Sequence, residues 1–375
     1  MPAMTAPDTF DAIAWSDPVR AQTFNSWLAG ISEPAGPHAL NRGSLRLASE
    51  DASFRRYFRI EAQTGDSSPA SRYIIMDAPP DKEDCRAFVK VAQLMHDAGV
   101  SAPRILAWDE AAGFMLLSDL GTRTMMDALS PPAASESLSS PTSAQYGLYM
   151  DAVDALLRWQ LSSKPGVLPP YDDALLSREL ALFPEWYVGK HRGRSLTPDQ
   201  QATLDDAVTQ IKANNLHALG GARVFVHRDF MPRNLMLSDA DQSLGVLDFQ
   251  DAVYGPITYD IGSLMRDAFL SWDEEVVIDV TVRYWQKARQ AGLPVGDDFG
   301  EFYRAVEWMG LQRHLKILGI FARLTLRDDK PKYLADTPRF IRYARHTAER
   351  YRQLGPLMVL LDDIEGNVTR VGYTF

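Results

Sequence analysis

The residues best suited to chemistry lie in one stretch. An apolar run, Val224-Phe225-Val226, leads straight into His227-Arg228-Asp229-Phe230-Met231-Pro232-Arg233-Asn234. A second apolar run, Leu235-Met236-Leu237, follows, and a third, Leu244-Gly245-Val246-Leu247, delivers Asp248-Phe249-Gln250-Asp251. Strand, polar loop, strand, turn, strand and acid together hold carboxylate and amide groups against one point. H-x-D-x-x-x-x-N followed by a strand-end Asp is a layout for phosphoryl transfer. Asp229 would then orient an attacking hydroxyl and accept its proton. Asn234 and Asp248 offer the oxygen donors that Mg²⁺ prefers, and the metal would neutralise charge developing on the leaving group. The competing reading is a buried histidine beside a polar hairpin.

Such a constellation needs elements to carry it. Asp17-Pro18 reads as a helix cap and first helical residue, with Val19, Phe24, Trp27 and Leu28 as the apolar side and Gly30 just past the end. Strand-like runs at 44–48 and 55–60 flank a polar turn, and a third at 72–76 ends before Pro79-Pro80. Residues 84–98 have helical period, with Phe88, Val91, Leu94 and Met95 on one face and Gly99 as stop. Two more strands, 104–108 and 114–117, flank the turn at 110–113. Beyond Gly121 the character changes. A Pro/Ala/Ser segment at 130–143 has little to bury and reads as a surface loop. Helical patterns then dominate at 145–161, 174–188, 198–214 and from 259 to 352, interrupted only by the β-rich 224–248. This predicts an α+β chain with a small β-rich N-terminal lobe, 1–118, and a larger, mainly helical C-terminal lobe, 119–375.

Composition limits the partners. The 375 residues carry 49 acids and 39 bases, a net charge of −10, which argues against a nucleic-acid binder with a broadly basic surface. The single cysteine, Cys85, excludes an internal disulfide framework and a cysteine-based zinc site. The first fifteen residues contain Asp8 and Asp11 and no base, unlike a secretory signal, and no apolar run reaches membrane-spanning length. A soluble cytoplasmic protein is expected, with no membrane contact and no obligate protein partner. His38, His96, His217, His314 and His346 show no metal-ligand spacing.

The stretch 224–260 resembles the aminoglycoside phosphotransferase and choline kinase-like superfamily. It has that family's loop motif at His227, Asp229 and Asn234, then Asp248, then Gly255-Pro256 followed by Asp260-Ile261. The resemblance implies a bilobal protein-kinase-like fold that uses ATP and Mg²⁺. It implies structural roles for His227 and Asp260, the latter a buried brace under the loop backbone. Phe114-Met115-Leu116-Leu117-Ser118-Asp119-Leu120-Gly121 resembles the inter-lobe hinge, which would give the adenine edge to the Ser118 carbonyl and the Leu120 N–H. Within the superfamily the wording is similar to the anomeric sugar kinases of peptidoglycan recycling, which phosphorylate N-acetylmuramate and N-acetylglucosamine at the C1 hydroxyl. Four blocks carry this likeness: Asp51-Ala52-Ser53-Phe54-Arg55-Arg56-Tyr57-Phe58-Arg59, Met76-Asp77-Ala78-Pro79-Pro80, Arg178-Glu179-Leu180-Ala181-Leu182-Phe183-Pro184-Glu185-Trp186-Tyr187, and the loop from His227 to Met236.

One departure stands out. Most of the superfamily ends its third strand with a lysine, paired with a helix glutamate, that holds the nucleotide phosphates. Here no lysine precedes Lys82, and the helix position falls near Phe88. Arg55, Arg56, Arg59 and Arg233 are guanidinium candidates for that duty, and Ser53-Phe54 marks a turn whose backbone N–H groups could cover phosphates or simply join two strands. Glu179, Phe183, Trp186 and Tyr187 share helical spacing, which suits either a pyranose ring and its hydroxyls or a packed helix interface. The run Lys190-His191-Arg192-Gly193-Arg194 suits a substrate carboxylate or a solvated loop. Asp251 suits a second Mg²⁺, a sugar hydroxyl or a turn cap. The sequence thus points to an ATP- and Mg²⁺-dependent sugar kinase acting on a small molecule. Its rivals are a kinase for another acceptor (an aminoglycoside, choline or an amino-acid alcohol) and, given the missing lysine, a nucleotide-binding pseudokinase.

Overall fold

The computed structural model describes residues 13–32, 39–50, 54–62, 71–129, 140–238 and 243–367. Ser53 and residues 130–139 of the expected surface loop lie outside them. The chain forms two compact units, Met1–Arg123 with Met236–Asp251, and Thr124–Leu235 with Ala252–Phe375.

In the first unit, α1 (Pro18–Ile31) begins where Asp17 caps it, accepting from the backbone N–H of Val19 at 2.8 Å and of Arg20 at 3.3 Å. Gly30, expected as the stop, lies inside the helix. Ser32 ends it instead, its N–H and hydroxyl both donating to the Leu28 carbonyl. Val19 is exposed rather than on the apolar side, because the buried face is set by Phe24 and Leu28, four residues apart. That face packs on an antiparallel sheet of β1 (Leu40–Glu50), β2 (Arg56–Ala62), β3 (Arg72–Asp77), β4 (Ile105–Asp109) and β5 (Phe114–Ser118), in the order β1-β2-β3-β5-β4. Phe24, Leu28, Phe58, Ile60, Ile75, Phe114 and Leu116 form the shared core. β1 starts earlier than alternation predicts. A bulge between Asn41 and Arg46 breaks the period, with the Gly43 N–H and Ser44 hydroxyl bonding back onto Asn41. Between β3 and β4, α2 (Arg86–Asp97) buries Phe88, Val91, Ala92 and Met95.

β3 ends on a buried charge. Asp77 is only 1% exposed and takes two guanidiniums, from Arg20 of α1 at 2.8 Å and from Arg56 of β2 at 2.7 and 3.1 Å. Each guanidinium also lies on an aromatic ring, Arg20 over Phe114 and Arg56 over Trp15. The pairing fastens the N-terminal helix to the sheet.

The second unit is mainly helical. After the short β6 (Arg123–Thr124) come α3 (Met125–Leu129), α4 (Ser143–Leu161), α5 (Asp173–Leu182) and α6 (Pro198–His217). β7 (Arg223–Val226) leads into the polar loop, which ends in β8 (Leu235–Leu237). β9 (Leu244–Val246) follows, and its Val246 N–H donates to the Ser101 carbonyl within the first unit. β10 (Val253–Pro256) then returns antiparallel to β7, pairing Val253 with Val226. The helices α7 (Thr258–Met265), α8 (Glu274–Gln290), α9 (Phe299–Leu326), α10 (Thr337–Arg350) and α11 (Gly355–Glu365) complete the chain. Among the described residues, no helix is long and apolar enough to cross a membrane.

α9 is the central helix of this unit, with Trp308, Met309, Leu311, Leu315, Leu318 and Ala322 buried along it. The pattern at 174–188 reads as one helix, yet α5 stops at Leu182 and a wider helical turn runs over Phe183–His191, with the Arg192 N–H reaching back five residues to the Tyr187 carbonyl. Pro184 has no N–H to continue the α-helical ladder there. Gly319 of α9 lies against this junction. A Cβ at 319 would meet the Leu182 backbone at 2.4 Å, so two backbones approach where only glycine fits.

Two predictions follow from these contacts. Gly319→Ala should cost about 1–3 kcal/mol or more through overpacking, read as a lower thermal midpoint by circular dichroism; an unchanged midpoint would refute the close approach. Asp77→Ala strands two facing guanidiniums and should cost about 3–5 kcal/mol, whereas Ala at the exposed Asp84 should cost almost nothing in the same melt.

Candidate active site

The loop after β7 is built around Asp260. This residue of α7 is fully buried, and its carboxylate accepts from two successive backbone N–H groups, His227 at 2.7 Å and Arg228 at 3.0 Å. Burial pushes its carboxyl pKa up, against His227 and those two N–H donors, which favour the charged form. His227 is itself fully buried and turns Nδ1 to the Asp229 N–H at 3.2 Å. Phe230 is buried with its ring edge-on to the imidazole. Asn234 closes the loop, its Nδ2 donating to the Asp229 carbonyl at 2.9 Å and its N–H to the Met231 carbonyl at 2.8 Å. Asp229 lies between these two clamps, half-buried.

Arg228 is the unusual residue of the loop. Its φ is +79°, in the left-handed region that costs an L-residue about 1–2 kcal/mol. Its three polar groups are all engaged. The N–H meets Asp260, the carbonyl accepts from Arg313 Nη1 of α9 at 2.6 Å, and the guanidinium donates to Glu179 Oε1 of α5 at 2.6 Å. Glu179 also receives Lys316 Nζ at 3.1 Å, the Tyr171 hydroxyl at 2.6 Å and Gln312 Nε2 at 2.8 Å. Burial works against the Glu179 carboxylate, but Lys316 and Arg228 outweigh it and hold its pKa at about 2. Burial likewise opposes the Lys316 ammonium, and Tyr259 and Glu179 reverse the effect, keeping its pKa above the ordinary value.

Of the two readings of Glu179, a sugar contact or a packed interface, its surroundings favour the packed interface. It is 5% exposed and turned inward, with four donors on its carboxylate. Its expected neighbours also divide. Phe183 and Tyr187 stack on each other in the buried interface, while Trp186 is half-buried with Lys190 Nζ 3.4 Å above its ring. The wider turn after Leu182 takes these residues off α-helical spacing. Arg233 is exposed, its guanidinium over the Phe269 ring at 4.6 Å.

The remaining candidates belong to the first unit. Asp248, just beyond β9, has φ +62° and accepts from Gln250 Nε2 at 2.8 Å. A non-glycine residue held in that conformation marks a point where geometry outranks local comfort. Phe249 beside it is fully buried, its ring 4.8 Å from Phe88 of α2, the helix position where a glutamate was sought. Asp251 is exposed in the following turn. Along Ser118–Gly121, Arg59 binds both oxygens of the buried Asp119 at 2.6 and 3.1 Å and the Gly121 carbonyl at 2.8 Å. Leu120 packs on Gly245, where a Cβ would meet its Cδ1 at 2.7 Å. Glu83 holds the Phe54-Arg55 turn, accepting from the Phe54 N–H at 3.3 Å and from Arg55 Nη2 at 2.9 Å. Arg55, Arg56 and Arg59 therefore have carboxylate partners in Glu83, Asp77 and Asp119.

Arg228, Arg313 and Lys316 are functional-site neighbours that motif reading passes over. For Arg313 and Lys316 the signal lies in α9, where the two cations stand three residues apart among Leu311, Leu315 and Leu318; both are buried.

The residues 44–298 match the model of the phosphotransferase enzyme family. The chain is 48% identical over 350 residues to the N-acetylmuramate/N-acetylglucosamine kinase of Pseudomonas aeruginosa, covering 92% of this chain and 97% of that protein. It is 45% identical over 336 residues to the kinase of the same name from Neisseria meningitidis serogroup B, covering 88% and 94%. Among solved structures it resembles the gentamicin complex of an aminoglycoside phosphotransferase, with a TM-score of 0.57 at 14% identity over 88% of this chain and 97% of that one. It also resembles choline kinase from Streptococcus pneumoniae, with a TM-score of 0.55 at 13% identity over 86% and 99%. Those structural likenesses speak for the protein-kinase-like fold alone. The family match and the near half-identity over almost whole chains say more: this chain belongs to the phosphotransferase enzyme family.

Proposed function

We propose that the chain is an ATP- and Mg²⁺-dependent sugar kinase that transfers the γ-phosphoryl group to the C1 hydroxyl of N-acetylmuramate, N-acetylglucosamine or both. The observation that carries the reading is the loop itself. Asp229 is held half-buried between the His227 ring and Asn234, on a backbone braced by Asp260. The names of the relatives support the choice of sugar.

In this reading Asp229 aligns the acceptor hydroxyl and receives its proton. An anomeric hydroxyl is more acidic than an ordinary alcohol, so a modest base suffices. Asn234 and Asp248 supply hard oxygen donors, a carboxamide and a carboxylate, of the kind Mg²⁺ accepts. Bound there, the metal would offset charge on the phosphate oxygens. The Ser118 carbonyl and Leu120 N–H are assigned to the adenine edge, and the Ser53-Phe54 turn to the phosphates. Of the arginines, Arg233 is the one assigned to phosphate charge; Arg56 is committed to Asp77. Asp251 and Trp186 are assigned to the sugar, by hydroxyl bonding and ring contact. Residues 1–118 thus cover the nucleotide, and 119–375 carry the catalytic loop, the metal donors and the acceptor, with Leu120 and Arg233 also assigned to the nucleotide. The lone cysteine suits a reducing cytoplasm.

Incubation with ATP and Mg²⁺ against N-acetylmuramate, N-acetylglucosamine, glucosamine, choline and kanamycin should yield 1-phosphates of the N-acetylated sugars, identified by phosphorus-coupled NMR. Transfer only to choline or kanamycin would move the assignment to another acceptor. Nucleotide binding without transfer to any of them would leave an amino-acid alcohol as acceptor to be tested, and then a pseudokinase. Asp229→Ala should lower kcat by about 10³-fold or more with nucleotide affinity nearly unchanged, and a variant that turns over normally would refute its role.

A further inference from the structure

We infer that Glu179 is a positioning residue for this reaction, holding Arg228 and Lys316 on its own carboxylate and so keeping both cations off Asp229. The inference rests on the reading of Asp229 as the group that receives the acceptor's proton.

Three buried or half-buried cations surround the loop, Arg228, Arg313 and Lys316; burial opposes the charge of each, and Asp229 is among the groups that favour it. Arg313 is anchored by the Arg228 carbonyl and lies over the Tyr259 ring at 4.7 Å. Asp260 spends its two oxygens on backbone N–H groups. Glu179 is thus the carboxylate on which the Arg228 guanidinium and the Lys316 ammonium meet, at 2.6 and 3.1 Å. The Tyr171 hydroxyl and Gln312 amide fix that carboxylate from the other elements packed on it, and Lys316 has a second contact with the Tyr259 hydroxyl at 3.1 Å.

Remove the Glu179 charge and a half-buried guanidinium and a buried ammonium lose that counterion, with Asp229 another carboxylate that favours their charge. A cation that loses a buried counterion is costly to keep in place, and Arg228 is the one adjacent to Asp229 in sequence. An Asp229 paired to a guanidinium cannot also take a hydroxyl proton. The same Glu179–Arg228 bond opposes relaxation of Arg228 from its left-handed backbone. Positioning and electrostatic release therefore act through one contact.

The experiment is a mutant cycle on the full chain with steady-state kinetics. Glu179→Gln should lower kcat about tenfold or more while the KM for ATP stays within about twofold. Once Arg228→Gln is present, adding Glu179→Gln should cost less than about threefold more, because the one of its two cations that adjoins Asp229 in sequence is gone. Additive losses, or loss of kcat only in step with loss of folded protein by circular dichroism, would overturn the inference. Should Glu179→Gln not fold, Glu179→Asp keeps the charge with a shorter reach. It should lower kcat about threefold or more at unchanged KM for ATP; full kcat in that variant would count against the positioning role. Asp229→Asn is run beside them. If it retains turnover, the reading of the loop itself fails. If it is inactive while Glu179→Gln turns over normally, only the role of Glu179 fails.

Discussion

Two hydrogen bonds from successive backbone N–H groups to one buried carboxylate set the frame of this site. Asp260 takes the amides of His227 and Arg228, and a chain turned tightly enough to aim both at one side chain cannot stay extended. Arg228 therefore enters the left-handed region. Charge-assisted hydrogen bonds contribute about 1.5–3 kcal/mol each, enough to offset the backbone cost of about 1–2 kcal/mol. The remaining features fall into place around that bend. The carbonyl of Arg228 meets Arg313, its guanidinium meets Glu179, and Asp229 follows between the His227 ring and Asn234.

Charge in the two units is handled in the same way, by pairing two cations with one buried carboxylate. Asp77 joins Arg20 and Arg56 in the first unit, and Glu179 joins Arg228 and Lys316 in the second. In each case the partners come from different elements, so the pair fixes elements as well as charges. A low-dielectric setting makes such pairing favourable only where the remaining hydrogen-bonding capacity is also met. Tyr171 and Gln312 do this for Glu179.

Much of this is legible in the sequence. The strand–loop–strand–turn–strand order around His227, Asp229, Asn234 and Asp248 follows from short apolar runs with polar residues at fixed offsets, and the fold class follows from the switch of period after Gly121. What sequence left hidden has physical reasons. Gly30 is tolerated inside α1 because the helix ends on the hydroxyl and amide of Ser32 rather than on a left-handed residue. The helix over 174–188 breaks at Pro184, where a wider turn keeps the apolar residues buried without α spacing. The sequence leaves Glu179 open between a sugar contact and a packed interface because its partners Arg228, Gln312 and Lys316 come from up to 137 positions later in the chain. Pairing over such separations leaves no periodic trace.

The contact between Phe88 and Phe249 replaces charge with hydrocarbon at the place where a glutamate was sought. An ion pair weakens with added salt and can be neutralised by protons; two buried rings feel neither. The contact between α2 and the Asp248 turn therefore carries no charge for salt to screen or protons to neutralise. It answers instead to shape and temperature, since apolar burial weakens on cooling. Displacing one of the two rings is the change to which that joint is most sensitive.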